Sequence, residues 1–196
     1  MEIWIITAIA VIGYGLFGWQ LWENRRLHRL YQLQGIMQLD ALTGICNPEC
    51  TARLCQDYLE KKPQGELCVL MKIDVDSFAE INEVYGRQLG DDALRTMGQI
   101  LTGIFRDRDI LGRVGGDEFI VCMKAVKDEK IVSRRANDII AKFRQQMHEI
   151  GIDSASCSIG VSMDRTGQRG YVDLYNRADQ ALFSVKQGGK GAVVIK

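Results

Sequence analysis

Two pairs of carboxylates stand where a folded chain could bring them together. Asp74 and Asp76 follow the apolar run LCVLMKI at positions 67–73, and Asp117 and Glu118 follow Gly115 and Gly116 between two short strand-like runs. Antiparallel pairing of the two segments would bring their ends side by side and gather oxygen ligands at one edge of a sheet. Mg²⁺ favours one or two protein carboxylates completed by phosphate oxygens, so such a cluster suits a nucleoside triphosphate. The two glycines add room for a phosphate to approach the backbone and give access to positive φ. Each piece alone is ordinary, because an acidic residue at a turn is usually just solvated.

Hydrophobic patterning supplies the elements that would position these residues. Residues 48–62 form an amphipathic helix entered at Pro48 and closed by Lys61, Lys62 and Pro63. Residues 67–73 form a strand, and 77–85 and 90–105 form helices, the second opened by Asp91 and Asp92. Strands at 109–114 and 118–123 flank Gly115-Gly116-Asp117 as a hairpin. A helix at 129–150, a strand at 155–163, a helix at 171–187 and a strand at 192–195 complete the chain. This order predicts an α/β (α+β) fold with an open, mostly antiparallel five-stranded sheet covered by helices.

The residues now spell a pattern. Gly115-Gly116-Asp117-Glu118-Phe119 resembles the signature of the GGDEF family, the diguanylate cyclases. Asp40-Ala-Leu-Thr-Gly-Ile-Cys-Asn47 resembles that family's opening turn, and Asp74-Val-Asp-Ser-Phe-Ala-Glu-Ile-Asn82 its DxDxFKxIN segment. Residues 86–91 resemble its GHxxGD, and Ala178-Asp179 through Lys186 and Lys190 its closing stretch. The five motifs occur in the family's order over residues 40–196.

The resemblance implies a nucleotidyl-cyclase, palm-like fold and an enzyme that condenses two GTP into cyclic di-GMP. It implies Mg²⁺, with Mn²⁺ as the alternative ion, held by Asp74, Asp117 and the Val75 carbonyl. Asp117 would help deprotonate the attacking 3′-hydroxyl, and Glu118 would add negative potential. Gly115 and Gly116 would leave space for the phosphates, Asn82 and Asp91 would read the guanine edge, and Lys186 and Lys190 would bind the triphosphate. Each domain would hold one GTP, so ring closure would need a homodimer. Arg106 and Asp109 match an RxxD site at which the product inhibits, arginine being suited to phosphate and guanine.

Three departures stand out. Ala79 occupies the place of a family lysine that touches the triphosphate, Arg87 replaces a histidine within the substrate site, and Asn47-Pro-Glu replaces NRR. Losing a cation beside the transferring phosphate weakens transition-state stabilisation, which keeps open a receptor for GTP or cyclic di-GMP without turnover.

Outside the motifs, residues 3–22 carry no charge, enough for a helix of about 30 Å and hence a membrane span. Trp4, Trp19 and Trp22 lie near the ends, and Arg25, Arg26 and Arg29 follow. The expectation is a single-pass protein of the inner (cytoplasmic) membrane, held by this N-terminal helix, with its catalytic domain in the cytoplasm. Two residues precede the expected span in this sequence, and on that reading no extracellular sensor is expected. The expected organisation is an anchor at 1–22, a helical stalk at 23–39 and the GGDEF domain at 40–196. Lys+Arg and Asp+Glu are both 25 among 196 residues, which gives no basic surface for nucleic acid. The six cysteines complete no zinc pattern and read as free thiols.

Overall fold

The computed structural model describes residues 39–167 and 169–196, and Leu39–Lys196 forms a compact unit. Asn47 caps the first helix, α1 (Pro48–Lys61): its Oδ1 accepts the Cys50 N–H at 2.9 Å, and Pro48 occupies a position where a missing N–H costs nothing. There follow β1 (Leu67–Val75), α2 (Phe78–Tyr85), α3 (Arg87–Ile104), β2 (Ile110–Arg113) and β3 (Glu118–Val126). The chain ends with α4 (Lys130–Glu149), β4 (Cys157–Asp164), α5 (Tyr171–Gly188) and β5 (Val193–Ile195).

The five strands form one sheet in the order β2-β3-β1-β4-β5, antiparallel except for the β4–β5 pair. All nine residues of β1 are buried, because the strand is central and both its faces are covered. Val69, Met71, Ile73 and Val75 pack into the core built with α3 and α4. Cys68 and Leu70 face the opposite way, with Cys55 and Leu59 of α1 and Leu174 and Ala178 of α5. The helices therefore sandwich the sheet, and the period-two alternation of β1 decides which layer each side chain meets.

The expected α+β, mostly antiparallel arrangement is present, with shifted element ends. β1 runs two residues past Ile73, since Asp74 pairs with both Glu118 and Ser158, and Val75 with Cys157. α3 begins at Arg87, three residues before Gly90. All six cysteines are free thiols, five of them buried.

The localisation requires correction. Among the described residues no helix is long and apolar enough to cross a membrane, so the single-pass inner-membrane assignment does not stand. Even α4, at 20 residues, is amphipathic and studded with lysine and arginine. The expected span at 3–22, and the stalk at 23–39 but for Leu39, lie outside the described residues.

Candidate active site

The register of β1 against β3 places Asp74 opposite Glu118. Just beyond it, the Val75 N–H donates to the Asp117 carbonyl at 3.1 Å, which ties the hairpin turn to the end of β1. Val114 and Gly115 N–H groups both donate to the Glu118 carbonyl, closing the turn. Gly115 answers a packing need: a Cβ there would lie 2.8 Å from Glu118 Oε2. Asp74 and Glu118 thus lie side by side at one end of the sheet, with Asp117 in the turn beside them.

Asp74 is 6% exposed, and its Oδ1 lies 2.6 Å from Lys186 Nζ in an ion pair whose angles fall short of a hydrogen bond. Burial pushes the Asp74 carboxyl up, Lys186 pulls it back, and Asp117 and Glu118 push it further up; the net direction is upward. The ends of β1 and β3 therefore concentrate negative charge that calls for cations. Lys190 Nζ donates to Ser77 Oγ at 2.9 Å, so both lysines reach this end of the sheet. Ser77 itself has a left-handed backbone (φ 53), an uncommon conformation for a residue with a side chain, at the junction of β1 and α2.

Asp76 does something different from Asp74. It is 3% exposed and accepts from Ser156 Oγ at 2.5 Å, Ser158 Oγ at 2.7 Å and the Gly191 N–H at 3.0 Å. Its carboxylate fastens the exit of β1 to the entry of β4 and to the chain leading into β5. The second acid of the DxD is thus engaged as an internal acceptor.

Two further residues escape the sequence reading. Arg113, at the end of β2, donates from Nε and Nη2 to the Gly116 carbonyl at 3.2 and 2.7 Å. Its Nη1 meets both Asp40 oxygens at 3.2 Å, and Asp40 also accepts the Thr43 N–H and hydroxyl. The opening turn at 40–47 and the glycine turn are thereby locked together. Lys72, 4% exposed, is the other: a charge inside an apolar strand was its visible signal.

Asn82 and Asp91 stand on the helix pair that follows β1. Gly90 is small because a Cβ would overlap Asn82 Oδ1, so this glycine seats Asn82 against the start of α3. Arg87 and Asp91 are exposed, as is Ala79. Arg106 and Asp109 lie at the far end of β2 from the glycine turn. Asp109 is committed to the backbone there, accepting the Arg106 N–H at 3.1 Å and the Lys124 N–H at 3.0 Å. Arg106 and Asp109 themselves line a cavity of about 260 Å³ whose rim carries Arg108, Lys124, Lys127 and Arg135, with Asp128 as a second carboxylate, over an apolar floor.

The donor set at the sheet end is all oxygen, which fits a hard divalent cation. Among the described residues no group of three or more His, Cys, Asp or Glu side chains is arranged to hold a metal by itself. An ion here would need further oxygens, and a nucleotide's phosphates are the natural supply.

A family model described as "Diguanylate cyclase, GGDEF domain" matches residues 37–192. A diguanylate cyclase of Vibrio cholerae is 28% identical over 165 residues, covering 84% of this chain and 51% of that protein. The cyclic di-GMP phosphodiesterase PdeR of Escherichia coli is 26% identical over 89% of this chain and 26% of its own length. The chain therefore spans about half, or less, of the curated relatives it matches. In structure, the coiled coil and GGDEF domain of DgcB from Caulobacter crescentus, solved with c-di-GMP, superimposes with a TM-score of 0.74. That likeness, at 22% identity over 88% of this chain and 93% of the other, establishes the fold.

Proposed function

The chain belongs to the GGDEF diguanylate cyclase family, and from that premise we propose that it condenses two GTP molecules into cyclic di-GMP and two pyrophosphates. The observation that carries this reading is the β1–β3 register, in which Asp74 faces Glu118 while the Val75 N–H holds the Asp117 backbone. Asp74, Asp117 and the Val75 carbonyl would hold Mg²⁺, or Mn²⁺ in its place. When bound, the ion supplies Lewis-acid activation of the nucleophile and charge neutralisation at the phosphates.

The chain's own residues do the rest. Asp117 accepts the proton of the 3′-hydroxyl that attacks the α-phosphate of the second GTP. Lys186 and Lys190 bind the triphosphate, and Lys186 exchanges its ion pair with Asp74 for phosphate as the nucleotide enters. Gly115 and Gly116 leave the backbone open to the phosphates. Asn82 and Asp91 read guanine; a carboxylate accepting two guanine N–H groups discriminates against adenine, which lacks that pair. Arg87, exposed at the start of α3, contributes positive potential to the nucleotide. Each site holds one GTP, so ring closure takes place across a homodimer.

The cavity beside Arg106 and Asp109 supports a product-inhibition site. Its guanidinium and ammonium groups suit the phosphates of cyclic di-GMP, and its apolar floor suits a base.

A second reading, a receptor for GTP or cyclic di-GMP without turnover, is favoured by Ala79. This exposed residue on α2 offers no cation where the family has one. Incubating the full chain with GTP and Mg²⁺ and resolving the products by chromatography separates the two. Cyclic di-GMP formed at a rate rising faster than linearly with protein concentration supports the dimeric enzyme. Nucleotide binding without product supports the receptor and overturns the enzyme.

A further inference from the structure

Lys72 is the one charged residue within the apolar run of β1. It shares the Cys68–Leu70 face of that strand and is 4% exposed. Its cross-strand partner on β3 is Ile120, which makes Glu118 its diagonal neighbour on the same face. The contact is made: Lys72 Nζ lies 2.8 Å from Glu118 Oε1. The same ammonium donates to Asp179 Oδ1 of α5 at 2.6 Å and sits 4.8 Å from the centre of the Tyr175 ring. Burial alone would lower the Lys72 pKa; Asp179, Glu118 and Tyr175 together raise it above the ordinary lysine value.

Stability does not account for such a residue. Its carboxylate partners are 31% and 54% exposed, so the pairs are screened by solvent, whereas a methionine would continue the strand without the cost of burying an ammonium. What Lys72 adds is a fixed position for Glu118. One carboxylate oxygen is held by the ammonium, and the other is then packed over Gly115, where a Cβ would lie 2.8 Å away. The carboxylate thus spans from mid-strand to the glycine turn, and the residue preceding it, Asp117, is set by that turn. Lys72 also joins β1 to α5, the helix that carries Lys186. Along this seam Lys72 stands between Asp179 and Glu118, and Lys186 faces Asp74, the cross-strand neighbour of Glu118. Crowded carboxylates would otherwise repel one another and splay.

We propose that Lys72 is a positioning residue of the active site: acting through Glu118, it holds the glycine hairpin in the conformation that receives the metal–nucleotide complex. The inference rests on the cyclase reading for its setting, and its test does not depend on turnover. The experiment measures the Mg²⁺ concentration giving half-maximal binding of a non-hydrolysable GTP analogue to the full chain. It compares wild type, Lys72→Met, Glu118→Gln and the double variant, with melting temperatures recorded alongside.

Lys72→Met is expected to raise that Mg²⁺ requirement about tenfold, the scale of losing an outer-shell partner. The double variant is expected to lose no more than the larger single loss, because both changes break one linkage. Additive losses, or a lowered melting temperature with an unchanged Mg²⁺ requirement, would overturn the proposal. Should Lys72→Met fail to fold, Lys72→Gln carries the same comparison, keeping a donor without the charge. A wild-type chain that forms product while Lys72→Met leaves the Mg²⁺ requirement unmoved sinks the inference and spares the cyclase. A wild-type chain without product, whose Mg²⁺ requirement still shifts in the variant, does the reverse. Absence of Mg²⁺-dependent nucleotide binding in the wild type overturns both.

Discussion

Asp74 and Asp76 are two positions apart on one strand exit, yet their surroundings give them different work. Asp74 faces a lysine and two other carboxylates, whereas Asp76 is saturated by two serine hydroxyls and a backbone N–H. Asp76→Asn removes the charge and turns one acceptor into a donor facing donors, which costs about 1–3 kcal/mol. Urea unfolding of that variant against wild type checks the figure; no change would mean the serines find other partners. Asp40 and Asp164 make a second prediction. Burial pushes each carboxyl up, but the hydrogen bonds of Thr43 and Arg113 to Asp40, and of Thr166 and Gly167 to Asp164 with Lys62 nearby, outweigh it. Both carboxyls end below the ordinary value of 3.8. A depressed folded-state pKa gives stability that is full above the unfolded value and is lost as pH falls through the folded one. The domain therefore loses stability on acidification below about pH 4, and Asp40→Asn or Asp164→Asn flattens that loss. Melting temperatures between pH 6 and pH 3 measure it; parallel curves for wild type and variants would contradict it.

At the scale of elements, α5 presses closely on β4. A methyl group at Gly160 would overlap the Ala178 carbonyl and the Leu182 nitrogen, both backbone atoms that cannot rotate away. Gly160→Ala is expected to destabilise by about 3 kcal/mol, the upper end for overpacking. Gly103→Ala, in open space on α3, is expected to stabilise by about 0.4–1 kcal/mol. Denaturant midpoints of the two variants test the contrast, and equal effects would mean that α5 yields. Such elements were largely legible in advance, because apolar runs, glycine turns and proline entries are local signals. The pairing of Asp74 with Glu118 was legible too, since a strand and a hairpin of matched alternation admit few registers. The Lys72–Asp179 contact was not: it joins residues 107 positions apart and depends on how α5 lies across the sheet. Asp76 counted in sequence among the gathered oxygen ligands, and its two serine partners were not legible, because a carboxylate beside a ligand spells the same whether it meets a cation or two serines.

Across the described residues, one end of the sheet gathers the glycine turn, the acidic strand ends, Lys186 of α5 and Lys190 just beyond it, while the RxxD turn lies a strand's length away. Arg113 ties the opening turn to the hairpin, bonding Asp40 on one side and the Gly116 carbonyl on the other. The proposed turnover rests on this arrangement, and above all on Asp74 and Asp117. The most direct measurement is the steady-state rate of cyclic di-GMP formation from GTP and Mg²⁺ by the full chain and by Asp117→Asn. GTP binding is followed in parallel. The account predicts a rate lower by on the order of 100-fold or more, with the variant still folded and still binding GTP. An Asp117→Asn chain that makes product at the wild-type rate would contradict it.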